Sequence, residues 1–156
     1  MSGDDSLTSR GGPAATRLEV RRTVNASPER LFATWTDADQ LRQWWGPSAV
    51  TCPAAEVDLR VGGRYRIANR FPDGKTVWIT GQFEVVAPPH KLVYTWRVEA
   101  GPARFERVTV TFEPRDGGTE VVVVHERIPD ALTRDRHEQG WHGCLDGLAE
   151  FVRGAG

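Results

Sequence analysis

The chain has 156 residues, and its 20 Lys and Arg side chains nearly balance its 21 Asp and Glu, which leaves a formal net charge of −1. This balance argues against nucleic acid as a partner and against an anionic membrane held by a global basic field. No apolar segment approaches transmembrane length, and the N-terminus carries acids rather than the apolar core of a signal peptide. We therefore expect no membrane insertion and a cytoplasmic location.

The N-terminal part of the chain predicts a tail, a strand and two short helices. Residues 1–16 are rich in Gly, Ser, Asp and Thr, and we expect a disordered tail. Residues 17–152 then form one domain. Residues 17–25 alternate as a strand that carries Arg22 on its apolar face. Ser27 and Pro28 are typical of a helix start, and a second short helix ends before Gly46.

The middle of the chain is nearly all strand, with hairpin signals such as Pro72-Asp73-Gly74 between the segments. Consecutive hairpins favour an antiparallel meander in which neighbouring strands pair. Together with the first strand, this predicts six or seven strands. After the first, they are expected at 50–59, 64–71, 76–87, 91–99, 105–113 and 119–128.

The last predicted element is a long helix over residues 133–152. Its apolar stripe includes His137 and Trp141, and one flank of that stripe carries Gly140, Gly143 and Gly147. Each glycine costs about 1 kcal/mol relative to Ala in a helix interior, so another backbone or a ligand should come close on that flank. At ~30 Å, the helix can lie across a whole sheet, and we expect a curved sheet wrapped round it.

Several segments carry a family resemblance: SPERLFATWTDADQLRQWWGP, EVDLRVGGRYRI, KLVYTWR and HEQGWHGCLDGLAEFV. Together they resemble the family named for its homology to the activator of heat shock protein 90 ATPase, within the START-like, or SRPBCC, superfamily. The resemblance implies an α+β helix-grip fold with a cavity between the sheet and the C-terminal helix. It also implies a function, since superfamily members bind lipids, sterols and aromatic natural products, and some are cyclases or aromatases.

Six Trp residues in this chain favour an aromatic pocket, although core filling is the alternative for any one of them. If the long helix faces the sheet, its stripe and one face of each strand should enclose an apolar ligand. The residues expected to line that site are Trp44, Tyr65, Ile67, Trp78, Tyr94, Trp96, His137, Trp141 and Leu145.

No motif fixes a catalytic, metal or cofactor site. His137 and His142 lie five residues apart on divergent helix faces and cannot chelate as an i, i+4 pair would. Cys52 and Cys144 form no CxxC motif, and we expect buried free thiols. We therefore predict no metal, no cofactor and no assigned catalytic residue. His125 or His137, acting with a carboxylate, and Arg107 are the polar candidates if the cavity is catalytic.

Three functions follow from these patterns and from the resemblance. The leading hypothesis is a binding protein for a small hydrophobic or aromatic molecule of lipid, sterol or polyketide type. The second is a cyclase- or hydrolase-type enzyme that uses the same cavity. The third is a co-chaperone-like protein that interacts with heat shock protein 90. It ranks last because the resemblance covers only the C-terminal part of the activator.

Overall fold

Seven antiparallel strands form one sheet in a computed structural model that describes residues 17–46 and 49–154. The tail predicted over 1–16 lies outside the described residues. The strands run in the spatial order β1-β7-β6-β5-β4-β3-β2, so the first strand closes one edge beside the last. Their bounds are β1 Leu18–Val24, β2 Ala55–Val57, β3 Arg64–Arg70, β4 Thr76–Ala87, β5 Lys91–Val98, β6 Glu106–Arg115 and β7 Gly118–Glu126.

Two short helices follow β1, as predicted. Helix α1 spans Pro28–Thr36, and the side chain of Ser27 caps it by accepting a hydrogen bond from the backbone N–H of Arg30 at 3.1 Å. Helix α2 spans Ala38–Trp44, and Asp37 caps it in the same way. The helices bury their apolar side chains against one end of the sheet.

The second predicted strand is much shorter than expected. The prediction of 50–59 is wrong in extent, since β2 holds three residues and Thr51 forms only an isolated bridge with Arg70. Pro53 has no N–H to donate and interrupts the ladder between these two contacts.

The long helix α3 spans Ala131–Gly154 and lies across the concave face of the sheet. Asp130 caps its start by accepting a hydrogen bond from the N–H of Thr133 at 2.7 Å. Further along, Arg22 reaches from the inner face of β1 to pair with Asp146 of the helix. This contact accounts for the arginine on an otherwise apolar strand face.

Gly147 explains part of the glycine-rich flank of α3. A Cβ placed there would lie 2.7 Å from the carbonyl oxygen of Trp44, so only glycine allows α2 and α3 to approach this closely. None of the helices in the described part of the chain combines the length and the apolarity that a membrane span requires.

Candidate functional site

The concave face of the sheet is filled at one end. Tyr65, Phe83 and Tyr94 of strands β3, β4 and β5 pack against one another there, with ring centroids 5.1–6.0 Å apart. Trp35 of α1 and Leu41 of α2 cover them. The space left in this filled half is only 20 Å³. It has no room for a ligand.

The other end of the same three strands is open. A cavity of about 460 Å³ lies there between the sheet and the N-terminal part of α3. We call it the α3 cavity. Its main lining residues are Trp45, Ile79, Trp96, His137, Gly140 and Trp141. Gly140 thus accounts for a second member of the glycine-rich flank, because nothing lies within 4 Å of the position that its Cβ would occupy.

Three indoles form the aromatic wall of the α3 cavity. Trp45 stands perpendicular to Trp141 at 5.5 Å between ring centroids, and Trp96 lies at 5.5 Å from Trp141 on another side. The indole N–H of Trp45 donates to the side-chain oxygen of Asn69 at 2.9 Å. Asn69 is itself 6% exposed and donates to the carbonyl of Val77. The wall is therefore held by hydrogen bonds as well as by packing.

A hydrogen-bond network of buried and half-buried side chains supports the cavity from behind. Glu106 Oε1 accepts from His125 Nε2 at 2.7 Å and from His137 Nε2 at 3.0 Å. The indole N–H of Trp141 donates to His125 Nδ1 at 3.0 Å. The two imidazoles stack with centroids 4.5 Å apart and planes 15° apart. Residues from β6, β7 and α3 are thereby joined at one point.

The network fixes the protonation of its members. Because Trp141 donates to His125 Nδ1, the ring proton of a neutral His125 must sit on Nε2, where it can be donated to Glu106. Burial lowers the pKa of His125 and keeps the imidazole neutral. Burial would by itself raise the pKa of Glu106, but the hydrogen bonds from His125 and His137 outweigh it and lower that pKa to about 2. Glu106 is therefore an anion at neutral pH.

Glu106, His125 and His137 also lie close enough to hold a metal ion, since their ligand atoms are within 4.8 Å of one another. A ligating nitrogen must offer a lone pair. At His125, Nε2 carries the proton because Nδ1 accepts from Trp141. The hydrogen bonds therefore favour a proton network over a metal site.

The structure separates the residues that the sequence predicted to line one site. Trp96, His137 and Trp141 line the α3 cavity, whereas Tyr65, Ile67 and Tyr94 line the filled half. Trp44 and Leu145 lie in the packed core. Trp78 lies on the outer face of the sheet, where the guanidinium of Arg66 sits 4.0 Å from the ring centroid.

Glu106 and Trp45 are the central residues that the sequence prediction missed. Glu106 lies two residues before Val108 on the inner face of β6, so the alternation of that strand could have identified it. The sequence prediction instead named Arg107, on the strand face of Phe105, as a polar candidate. Phe105 precedes the strand and is 43% exposed, and Arg107 points outward to Glu84 at 2.9 Å.

Comparison with known proteins finds similar chains of this fold. A family model described as "Activator of Hsp90 ATPase homolog 1-like protein" matches residues 25–153. A crystal structure from Chromobacterium violaceum is 30% identical with a TM-score of 0.81, covering 88% of this chain and 96% of its own. An AHSA1 protein from Silicibacter pomeroyi is 28% identical with a TM-score of 0.80, covering 90% and 99%. No curated protein matches the chain significantly.

Proposed function

Since the chain belongs to the family of activator of Hsp90 ATPase homolog 1-like proteins, whose START-like fold commonly binds ligands, we propose that it binds a small hydrophobic or aromatic molecule in the α3 cavity. The ligand is of lipid, sterol or polyketide type. The observation that carries the proposal is a cavity of about 460 Å³ walled by three indoles. Its volume lies within the range of roughly 300–1,000 Å³ that is usual for small-molecule sites.

Exposed apolar side chains at the cavity support this proposal. Phe71 is 39% exposed and Val98 is 36% exposed, and both line the α3 cavity. An apolar ligand would cover both of them and would also contact the three indoles, which are 3–7% exposed. Burying this surface supplies about 25 cal/mol per Å² of apolar area removed from water.

The six Trp residues provide the direct test, because each indole N–H gives its own signal in a ¹H–¹⁵N spectrum. Titration with a panel of polycyclic aromatic compounds, sterols and fatty acids should shift the signals of Trp45, Trp96 and Trp141 in a saturable way. The signal of Trp78, on the outer face, is the internal reference and should stay in place. Shifts of Trp78 alone, or no shifts with any compound, would contradict the proposal.

A matched pair of variants ties binding to the cavity. Gly140→Leu fills the open space with a side chain, so a ligand loses the apolar burial it would gain there. Burial of apolar area equal to one side chain contributes about 1.5–3 kcal/mol, so the affinity should fall at least about tenfold. Gln139→Leu puts the same side chain on the exposed face of α3 and should leave the affinity unchanged. Equal affinities for the two variants would place binding elsewhere.

A second candidate function is catalysis of cyclase or hydrolase type in the same cavity. It is favoured by the bond between His137 Nε2 and Glu106, because a carboxylate that orients an imidazole is the arrangement that general base catalysis requires. In this case His137→Gln should lower the turnover of a bound compound by at least about 100-fold with little change in its affinity. His142→Gln, on the exposed side of α3, is the control.

The remaining expectations concern a protein partner and the cellular location. The family fold is compatible with chaperone interaction as well as with a small ligand, and contact with heat shock protein 90 stays a prediction. The cytoplasmic location also stays a prediction.

A further inference from the structure

Arg136 is a cation at the α3 cavity that has no counter-ion within the described part of the chain. Among the described residues, no ion pair or hydrogen bond engages the side chain of Arg136, although it lines the cavity. The other arginines of the helix are engaged, since Arg134 pairs with Glu138 at 2.8 Å and Arg153 pairs with Glu150 at 3.1 Å. We infer that the ligand is an amphipathic organic anion whose carboxylate binds Arg136 while its apolar body lies against the indoles. This inference rests on the proposed function.

The spacing along α3 gives such a molecule a defined position. Arg136 and Gly140 are four residues apart and therefore lie on the same helix face, one turn from each other. The space above Gly140 is open, and Trp141 forms the wall beyond it. An aromatic body lying over Gly140 would contact Trp141. A carboxylate one or two bonds away from that body would then lie beside the guanidinium of Arg136.

The acids near this position leave Arg136 free to bind an anion. No Asp or Glu side chain is among the described residues that line the α3 cavity. Glu106 lies behind His137, and its Oε1 already accepts two hydrogen bonds. The pKa of Asp130 is lowered chiefly by its hydrogen bonds to Thr133, with a smaller effect from the charge of Arg136. Asp130 therefore serves as the helix cap rather than as the partner of Arg136.

The number of charges selects the class of anion. One guanidinium matches the single negative charge and the two oxygens of a carboxylate, to which it can donate two parallel hydrogen bonds. A phosphate dianion would leave a second charge uncompensated beside the apolar wall.

The test compares naphthylacetic acid with the neutral alcohol naphthylethanol, which has the same aromatic body. Affinities are measured at low salt from the indole signals of Trp45, Trp96 and Trp141. The acid should bind about tenfold more tightly than the alcohol, as expected for a partly exposed charge-assisted hydrogen bond, and added salt should shrink this difference. Arg136→Gln should remove the preference, whereas Arg136→Lys should retain part of it. Arg153→Gln, on the same helix, is the control.

The outcomes distinguish a failure of this inference from a failure of the proposed function. If acid and alcohol bind equally to the wild-type chain, the inference fails and the proposed function stands. If neither compound shifts the three indoles, both fail for this ligand class. If Arg136→Gln keeps the preference for the acid, the assignment to Arg136 fails. Equal urea unfolding midpoints for the variants show that Arg136, an exposed residue, changes binding rather than folding.

Discussion

The two ends of the concave face differ although the same three strands, β3, β4 and β5, build both of them. At one end Trp35 and Leu41 of the short helices press on Tyr65 and Tyr94, and the space that remains is 20 Å³. At the other end the sheet is covered by α3 and by Trp45, which follows α2, and the space is about 460 Å³. The larger space is lined by three indoles and the smaller space by one. The elements that cover each end, rather than the size of the side chains, therefore decide where the cavity forms.

The long helix shows the same contrast between two of its glycines. Gly147 is held against the carbonyl of Trp44, where a Cβ would be 2.7 Å from the oxygen. Gly140, two turns earlier, faces open space. One residue type thus allows a close helix contact at one place and leaves volume for a ligand at the other.

Truncation of one side chain at each end should give the largest difference in stability between the two ends. Leu41→Ala should lower the free energy of unfolding by about 3 kcal/mol, because the tightly packed filled half cannot collapse around the lost volume. Ile79→Ala, beside the existing cavity, should cost about 1–2 kcal/mol, because part of its surface already faces empty space. Urea unfolding measures both values. Equal costs would mean that the two ends are packed alike.

Alanine at the two glycines should give effects of opposite sign. Gly147→Ala should destabilise the fold by about 1–3 kcal/mol, because the backbone of Trp44 cannot give way as a side chain could. Gly140→Ala should stabilise it by about 0.5–1 kcal/mol, since alanine is the better helix former and meets nothing. Thermal unfolding of both variants in parallel is the measurement. Destabilisation by Gly140→Ala would show that the open end is closed in solution.

Acid should lower the free energy of unfolding through the hydrogen-bond network of Glu106, His125 and His137 behind the α3 cavity. The folded-state pKa of His125 lies below its ordinary value of 6.5, so the unfolded chain binds the proton more readily and the free energy of unfolding falls as the pH drops below 6.5. The pKa of Glu106 is lowered from 4.5 to about 2, so a second fall is expected between these values.

Glu106→Gln should remove the second fall and deepen the first, because Glu106 raises the pKa of His125 and its loss lets burial lower that pKa further. Glu150→Gln, on the exposed part of α3, should leave both in place and is the matched control. The measurement is the urea unfolding midpoint as a function of pH. A wild-type midpoint that does not change between pH 6.5 and the acid limit would contradict the assigned protonation of the network.

Sequence patterns predicted the framework well because its signals are local. Alternation places Tyr65, Trp96 and His125 on the inner face, and the cost of three glycines in one helix indicates close contacts that the structure shows at Gly147. The long helix, the paired hairpins and the position of Arg22 follow from the same kind of reasoning.

The site was harder to predict because it depends on which strand ends meet which helix. Nothing local to Tyr65 and Trp96, both inward-facing aromatics, indicates that one fills a core and the other walls a cavity. The bulge between Phe83 and Val85 further shifts the register of β4 against β5. Glu106 was missed because Arg107 was placed on the face of Phe105, which precedes the strand and is 43% exposed, whereas counting from buried Val108 puts Glu106 on the inner face.

The position of β1 at the edge of the sheet has a consequence for how the chain is made. Leu18 pairs with His125, so the first strand finds its partner only after about a hundred further residues have been synthesised. At roughly 5–20 residues per second, β1 and the Trp-bearing helices behind it wait for seconds on the ribosome with their apolar faces uncovered. The final shape of the domain is thus set only when β7 and α3 emerge and the two ends of the domain meet.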